Sequence, residues 1–349
     1  MRPSLTSGRQ HSRDEVASLP ILLPTPPALP GRILPEFAVP CLDAFDHPDF
    51  RFSIEWDGSR TLLFTSSDGV RLQSETLADV GDRYPEIVAA AAALADSDAV
   101  LDGVVAVLDP SGCPDLPALG ERMALGPSTQ HRLPTVYLAN DLLHLHGRPT
   151  TGLPLDRRLE LLHGLGDTSA RIQVPDWVAG EGEALAEAAR GRRLPALLAR
   201  HADARYHPGV ASNQRLLIPL RHRANCVVVA AERLAVGRGR RRRLRLAERV
   251  GSRLEECGAV EVDETSVLWR WAAPGGRLRA PLVATVEHRG RSAGGSIRHA
   301  ELVILRDDVD ANWCVKREPV PPPPGRPVAA VGFHPTVLAA LPLDLPPAG

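Results

Sequence analysis

One lysine, Lys316, stands against forty arginines among the 41 basic residues of this 349-residue chain. Any reaction that needs a lysine amine as nucleophile must run through Lys316 or not occur. Arginine is no substitute, because its guanidinium stays protonated up to about pH 12. An arginine-favouring, GC-rich coding sequence accounts for most of the imbalance. Aromatic residues are also scarce, at 4%, so the core must rest on Leu, Val and Ala. The five cysteines (Cys41, Cys113, Cys226, Cys257, Cys314) are scattered and form no CxxC pair. That pattern argues against a zinc ribbon or a disulfide frame and for reduced thiols. No apolar run approaches the roughly 20 residues of a membrane span. Met1 to Val16 mixes Arg, Ser, Gln and Asp and lacks the apolar segment of a secretory signal. A cytoplasmic protein with no membrane partner is expected. The net charge of −1 selects no partner by itself.

Hydrophobic residues make up 44% and charged residues 24%, a globular balance, and the length suits about two domains. Residues 17 to 40 are proline-rich and read as an extended lead-in strap. Strand candidates follow at 51–56, 61–65 and 69–73, with Asp57-Gly58 as a turn. An Ala-rich helix is expected over 84–94. The apolar run from Ala99 to Leu108 reads as a strand broken at Asp102-Gly103. A further strand is expected over 135–139. Leu155, Leu159 and Leu162 recur at helical spacing, predicting a helix over 155–165. Another helix is expected over 180–189, and strands over 195–200 and 215–219. From Cys226 to about Trp313 a second, strand-rich region is predicted. Residues 317–349, with Pro-Val-Pro-Pro-Pro-Pro-Gly, read as a flexible or strapped tail.

Seven short signatures then occur in order: Glu55-Trp56-Asp57-Gly58-Ser59-Arg60, Arg83-Tyr84-Pro85-Glu86, Ala99-Val100-Leu101-Asp102-Gly103, Asp141 to Gly147, Thr151 to Leu155, Tyr206-His207-Pro208-Gly209, and Arg298-His299 with Leu305 to Asp310. In this order they resemble the catalytic core of bacterial ATP-dependent DNA ligases, especially the actinobacterial end-joining forms, over about residues 30 to 315. The resemblance implies an α+β fold: a nucleotidyltransferase (adenylation-type) domain of antiparallel sheets with helices, then an OB-fold β-barrel that swings over the nucleotide pocket and helps clamp duplex DNA. The implied division is a proline-rich lead (1–30), an adenylation-like domain (31–220), the barrel (221–316) and the tail (317–349).

The same resemblance assigns the chemistry. The family uses ATP and Mg²⁺, and its lysine attacks the α-phosphate of ATP; the matching position here is Glu55. A carboxylate repels a triphosphate instead of attacking it. The metal-binding glutamate that follows Leu-Asp-Gly is matched by Val104, and a second one by Pro195. The aromatic that stacks on adenine is matched by Asn140. A basic phosphate or ribose contact is matched by Glu75, and lysines of later signatures by Leu217 and Val309. Asp57, Gly58, Arg60, Asp102, Arg306 and Asp308 persist, the first three as a nucleotide-binding remnant. The turns, glycines and core leucines of each signature remain while its chemical residues are gone. Lysine-to-arginine drift does not account for this, since lysines became Glu, Leu and Val. Neither a catalytic residue nor a retained metal or cofactor is therefore expected. Lys316 lies beyond the last signature and is not expected to act as a relocated nucleophile.

Three roles remain open in the sequence. The run from Gly237 to Arg245 offers Arg240, Arg241, Arg242, Arg243 and Arg245 to DNA phosphates; it contains no base-reading motif. The proline-rich ends can be recognised by a DNA-repair protein, making the chain a scaffold of an end-joining complex. A residual ligase is the third, and His144 and His146, alternating on one strand-like segment, are candidates for a metal pair.

Overall fold

A computed structural model describes residues 29–324, except 167–168, 235–239 and 293. In chain order the first part holds β1 (Phe37–Pro40), β2 (Phe50–Glu55), β3 (Ser59–Ser66), β4 (Gly69–Ser74), α1 (Pro85–Ala91), β5 (Ala99–Val107), α2 (Leu116–Leu125), β6 (Thr135–Leu145), β7 (Arg148–Pro149), α3 (Leu155–Leu165), β8 (Ile172–Gln173), β9 (Val178–Ala179), α4 (Gly182–Gly191), β10 (Ala196–His201) and β11 (Ala211–Pro219). The rest holds β12 (Arg223–Arg233), β13 (Arg241–Val250), β14 (Arg253–Asp263), α5 (Val267–Ala272), β15 (Val283–Glu287) and β16 (Glu301–Arg306).

Two sheets build the first part, in the orders β1-β11-β10-β2-β9 and β4-β3-β5-β6-β7, with β8 added beside β6. The buried strand β5 explains how they join. All nine of its residues are buried. Ala99, Leu101, Val105 and Val107 enter one core with Ile87 of α1, Leu119 of α2 and Leu162 of α3. Val104 and Ala106 enter a second core with Phe52, Ile54 and Leu197 of the neighbouring sheet. A strand covered on both sides reads as a continuous apolar run. The expected break at Asp102-Gly103 is corrected: β5 runs through it. Gly103 is needed for a different reason, since a Cβ there would lie 2.4 Å from the Leu138 carbonyl and 2.7 Å from the Tyr137 ring. The Tyr137 hydroxyl occupies that space and donates to the Thr61 and Leu101 carbonyls, each at 3.0 Å.

Two helices were not foreseen. The first, α2, starts at Leu116. Pro117 falls in the first turn, where a missing N–H is harmless, and the Asp115 carboxylate caps the Ala118 amide at 2.9 Å. Ser266 caps α5 in the same way. The Ala-rich helix is shorter than expected. It ends at Ala91 and tightens into a 3₁₀ segment before Asp98, which sits at φ +40°.

The third sheet is antiparallel, in the order β14-β13-β12-β15-β16. It curls around Cys226, Leu244, Leu246, Val260 and Ala284, with Trp269 of α5 packed inside. The Ile297 amide bonds the Cys257 carbonyl at 2.7 Å, drawing the segment before β16 toward β14. This is an OB-like barrel. No helix among the described residues is long and apolar enough to cross a membrane. Of the proline-rich lead, residues 1–28 lie outside the described residues, and of the tail residues 325–349 do. Val320 forms a parallel bridge with Cys41.

Candidate nucleotide-site remnant

β2 delivers Glu55 to the mouth of the first sheet, and the turn through Trp56, Asp57 and Gly58 leads straight into β3. Pairing of β2 with β10 sets Glu55 opposite Ala196 and Ser53 opposite Leu198. Pairing of β10 with β11 sets Arg200 opposite Arg215 and Leu198 opposite Leu217. Because side chains alternate along strands, Ser53, Glu55, Arg200, Arg215 and Leu217 share one face. Several polar atoms on that face are buried without a hydrogen-bond partner: Ser53 Oγ, Glu55 Oε2, Arg200 Nε, and Arg215 Nε and Nη1. Such atoms cost about 1–3 kcal/mol each when nothing replaces their lost water.

Gly58 is where the turn meets β5. A Cβ there would fall 2.2 Å from the Val104 methyl and 2.4 Å from the Val105 carbonyl. Val104 pairs across from Arg60 and is only 2% exposed, one of the core residues around Trp56 and Leu138. Among the described residues, no group of three or more His, Cys, Asp and Glu side chains is placed to hold a metal ion.

Below the turn lies a second layer, built on buried ion pairs. Arg60 donates to both oxygens of Asp102, at 2.9 and 2.5 Å, and the Tyr206 hydroxyl donates to Asp102 at 2.9 Å. Burial alone would raise the Asp102 carboxyl. Arg60, Arg215 and the Tyr206 hydroxyl hold it below its usual value. Arg158 donates to both oxygens of Asp141, at 2.7 and 3.0 Å, and to the Leu153 and Ala204 carbonyls. Arg200 donates to the Asn140 carbonyl at 2.7 Å; burial lowers its pKa to about 10, against the pull of Asp141. The expected helix over 155–165 is what aims Arg158 inward. The residue follows the buried Leu155 and precedes Leu159 on the same stripe, and that was the available signal for its role.

The barrel closes the mouth. Arg306 donates to both oxygens of Asp308 and, across the seam, to the Gly58 carbonyl at 2.8 Å. Asp57 is ion-paired with Arg223 of β12. Glu75 sits against this seam, its carboxyl pushed up to about 7 by burial despite Arg60 and Arg306. Asp57, Gly58, Arg60, Asp102, Arg306 and Asp308 are thus brought to one place. Val309 is not among them: it is buried with Val227, Val283 and Cys314 in a small cluster apart from the barrel core.

Other candidates fall elsewhere. His144 is buried on β6, whereas His146 follows the strand's end at φ +48° and is exposed, so the expected pair on one strand face is corrected. Lys316 is exposed, its amide bonded to the Arg249 carbonyl of β13. The basic run is not a loop throughout. Residues 235–239 lie outside the described residues, and Arg241 to Arg245 are part of β13. Arg241 pairs with Glu261, Arg242 with Glu264, and Arg245 with Glu232 and Glu256. Arg240 and Arg243 are exposed and make no ion pair among the described residues.

The two-sheet domain carrying the Trp56–Arg60 turn, followed by an OB-like barrel, has the fold of the DNA-ligase adenylation type. The family model described as "ATP dependent DNA ligase domain" matches residues 38–217, just over half of the chain, and the chain belongs to this family. The "Multifunctional non-homologous end joining DNA repair protein LigD" of Mycobacterium tuberculosis is 35% identical over 158 residues, 45% of this chain and 20% of that protein. "DNA ligase C" of the same organism is 28% identical over 223 residues, 60% of this chain and 58% of that one. The match therefore spans a fifth of LigD and under two thirds of DNA ligase C. Among solved structures, "mycobacterial DNA ligase D complexed with ATP and MES" superimposes with a TM-score of 0.60 at 26% identity, covering 82% of this chain and 99% of that one.

Proposed function

We propose that this chain is a DNA-ligase-family protein that does not ligate, and that it serves as an accessory of DNA repair by contacting duplex DNA. The observation that carries the reading is Glu55. It stands where the family presents its attacking lysine, and its Oε2 is buried with no donor. ATP and Mg²⁺ do not fit the residues present. A carboxylate faces the would-be triphosphate, the metal-ligand position is the core residue Val104, and the described residues hold no carboxylate cluster for a cation. Asn140 offers no ring to stack a base. The losses share a physical signature: Val104 and Val309 have been absorbed into hydrophobic cores.

DNA contact rests on the family and on Arg240 and Arg243, whose exposed charges no acid among the described residues neutralises. The decisive experiment incubates the protein with labelled ATP and Mg²⁺ or Mn²⁺, then assays covalent adenylate and sealing of a nicked duplex. Neither is expected. Labelled protein whose label is lost in Glu55→Ala would overturn the reading. The DNA role is read from retention of duplex DNA at low salt, and no retention removes it.

A further inference from the structure

Domains within one chain move relative to each other by default unless a large apolar interface joins them. Here an apolar contact crosses the seam between the first domain and the barrel, and the seam is stitched three more times. Ile304 of β16 is fully buried and belongs to the core of the first domain, beside Leu116 and Leu119 of α2. Gly120 makes this possible: a Cβ there would lie 2.7 Å from an Ile304 carbon and 3.3 Å from Leu268 of α5. Around this apolar patch stand charged contacts. Arg83 makes a two-pronged pair with Asp307 at 2.7 and 2.9 Å, Asp57 pairs with Arg223, and Arg306 donates to the Gly58 carbonyl.

The connection that would have to act as a hinge is pinned. The amides of Leu220 and Arg221 both bond the Pro195 carbonyl, at 2.9 and 3.1 Å. After β16 the chain returns as a strap fastened at both ends. The Arg249 amide of β13 bonds the Cys314 carbonyl, and Lys316 bonds back to Arg249. The same strap also joins the first domain. Trp313 stacks on Phe37 with ring centroids 3.5 Å apart, Arg317 donates to the Ala38 carbonyl at 2.9 Å, and Val320 exchanges hydrogen bonds with Pro40 and Leu42. None of these contacts needs a nucleotide.

We propose that the chain itself fixes the two domains in the closed position, so that the barrel neither swings away from the Trp56–Arg60 loop nor responds to ATP. A ligand shifts a conformational equilibrium only by its different affinities for the two states. The closed seam is bonded by protein groups alone, so closure does not wait on contacts that ATP would supply. The inference is separable from the absence of ligation: a swinging barrel in a protein that forms no adenylate overturns the lock alone, and an adenylated protein with a fixed barrel overturns the proposed function alone.

The test uses the full chain carrying encoded spin labels at exposed Glu187 of α4 and Glu255 of β14. The interlabel distance is measured alone, with ATP and Mg²⁺, and with a nicked duplex. One narrow distance, unchanged by either addition, is expected. A second, longer population in the unmodified chain, or a shift on adding ATP and Mg²⁺, overturns the proposal. The combined variant Arg83→Ala, Trp313→Ala, Arg317→Ala is expected to broaden and lengthen the distribution while far-ultraviolet dichroism stays native. A folded variant with an unchanged distribution overturns the assignment of the lock to these contacts. Should the variant not fold, the measurement on the unmodified chain still decides.

Discussion

The arginines beneath the Trp56–Arg60 turn and those along β13 place the same cation in opposite surroundings. Arg60 and Arg158 are held in the interior by two-pronged pairs with Asp102 and Asp141, and both acids are fully buried. On β13, Arg241 and Arg245 meet Glu261 and Glu256 across the strand with roughly half of each side chain in water. In the interior a guanidinium replaces hydration with fixed acceptors, and losing one partner strands a charge. On the strand, water replaces either partner at once. A chain with one lysine has used arginine for both tasks, and only the first specifies the fold.

The largest effect should therefore come from Arg158→Ala. It leaves Asp141 without its strongest donor and frees the Leu153 and Ala204 carbonyls. A loss of about 3–5 kcal/mol in unfolding free energy is expected by denaturant titration. A loss below about 1 kcal/mol would put Arg158 with the β13 arginines and dissolve the contrast.

Glu75 offers a pH test at the edge of the same interior. Arg60, Arg306, Asp308 and the Asp310 amide face it, and its carboxyl is pushed up from 4.5 to about 7. The folded protein thus holds this proton to higher pH than the unfolded chain does. Between about 4.5 and 7 the native state binds more protons, so stability from this group is full below 4.5 and is lost as pH rises through 7. The whole swing is at most about 3 kcal/mol. Glu75→Gln should flatten that slope and leave the protein at least as stable at pH 8. A slope unchanged in the variant would show that other groups produce it.

Gly120→Ala comes next. The added methyl meets Ile304, and about 1–3 kcal/mol of destabilisation is expected from overpacking. Ile304→Val in the same chain should recover part of the loss, and independent, additive effects would contradict contact across the seam.

How much of this was legible in the sequence depends on how far apart the partners lie. The signatures with Asp57-Gly58 and Tyr206 were readable because each is a local turn or core pattern. The 155–165 helix announced itself by leucine spacing alone. The seam was not readable: Arg83 finds Asp307 at a separation of 224 residues, and Arg306 finds the Gly58 carbonyl at 248. The purpose of Gly120, room for Ile304, was equally unreadable, because it belongs to a residue 184 positions away. The basic run misled in the opposite direction, since its arginines are contiguous in sequence while the glutamates that neutralise three of them arrive from β12, β14 and the residue just beyond it.

The smallest stability effects are expected on β13, and there the comparison turns into a statement about DNA. Arg241→Ala or Arg245→Ala should cost less than about 1 kcal/mol, as exposed pairs do. Their charges are already matched by glutamates, so removing them releases few counterions when DNA binds. Arg240 and Arg243 are unmatched among the described residues. The double variant Arg240→Ala, Arg243→Ala should reduce the slope of log affinity against log salt by about two, near 0.9 per phosphate contact. The double variant Arg241→Ala, Arg245→Ala should leave that slope nearly unchanged. Equal effects from the two variants would mean that the glutamate pairs open on binding and that the strand acts as one basic surface. No effect from either would move the DNA contact off β13 altogether.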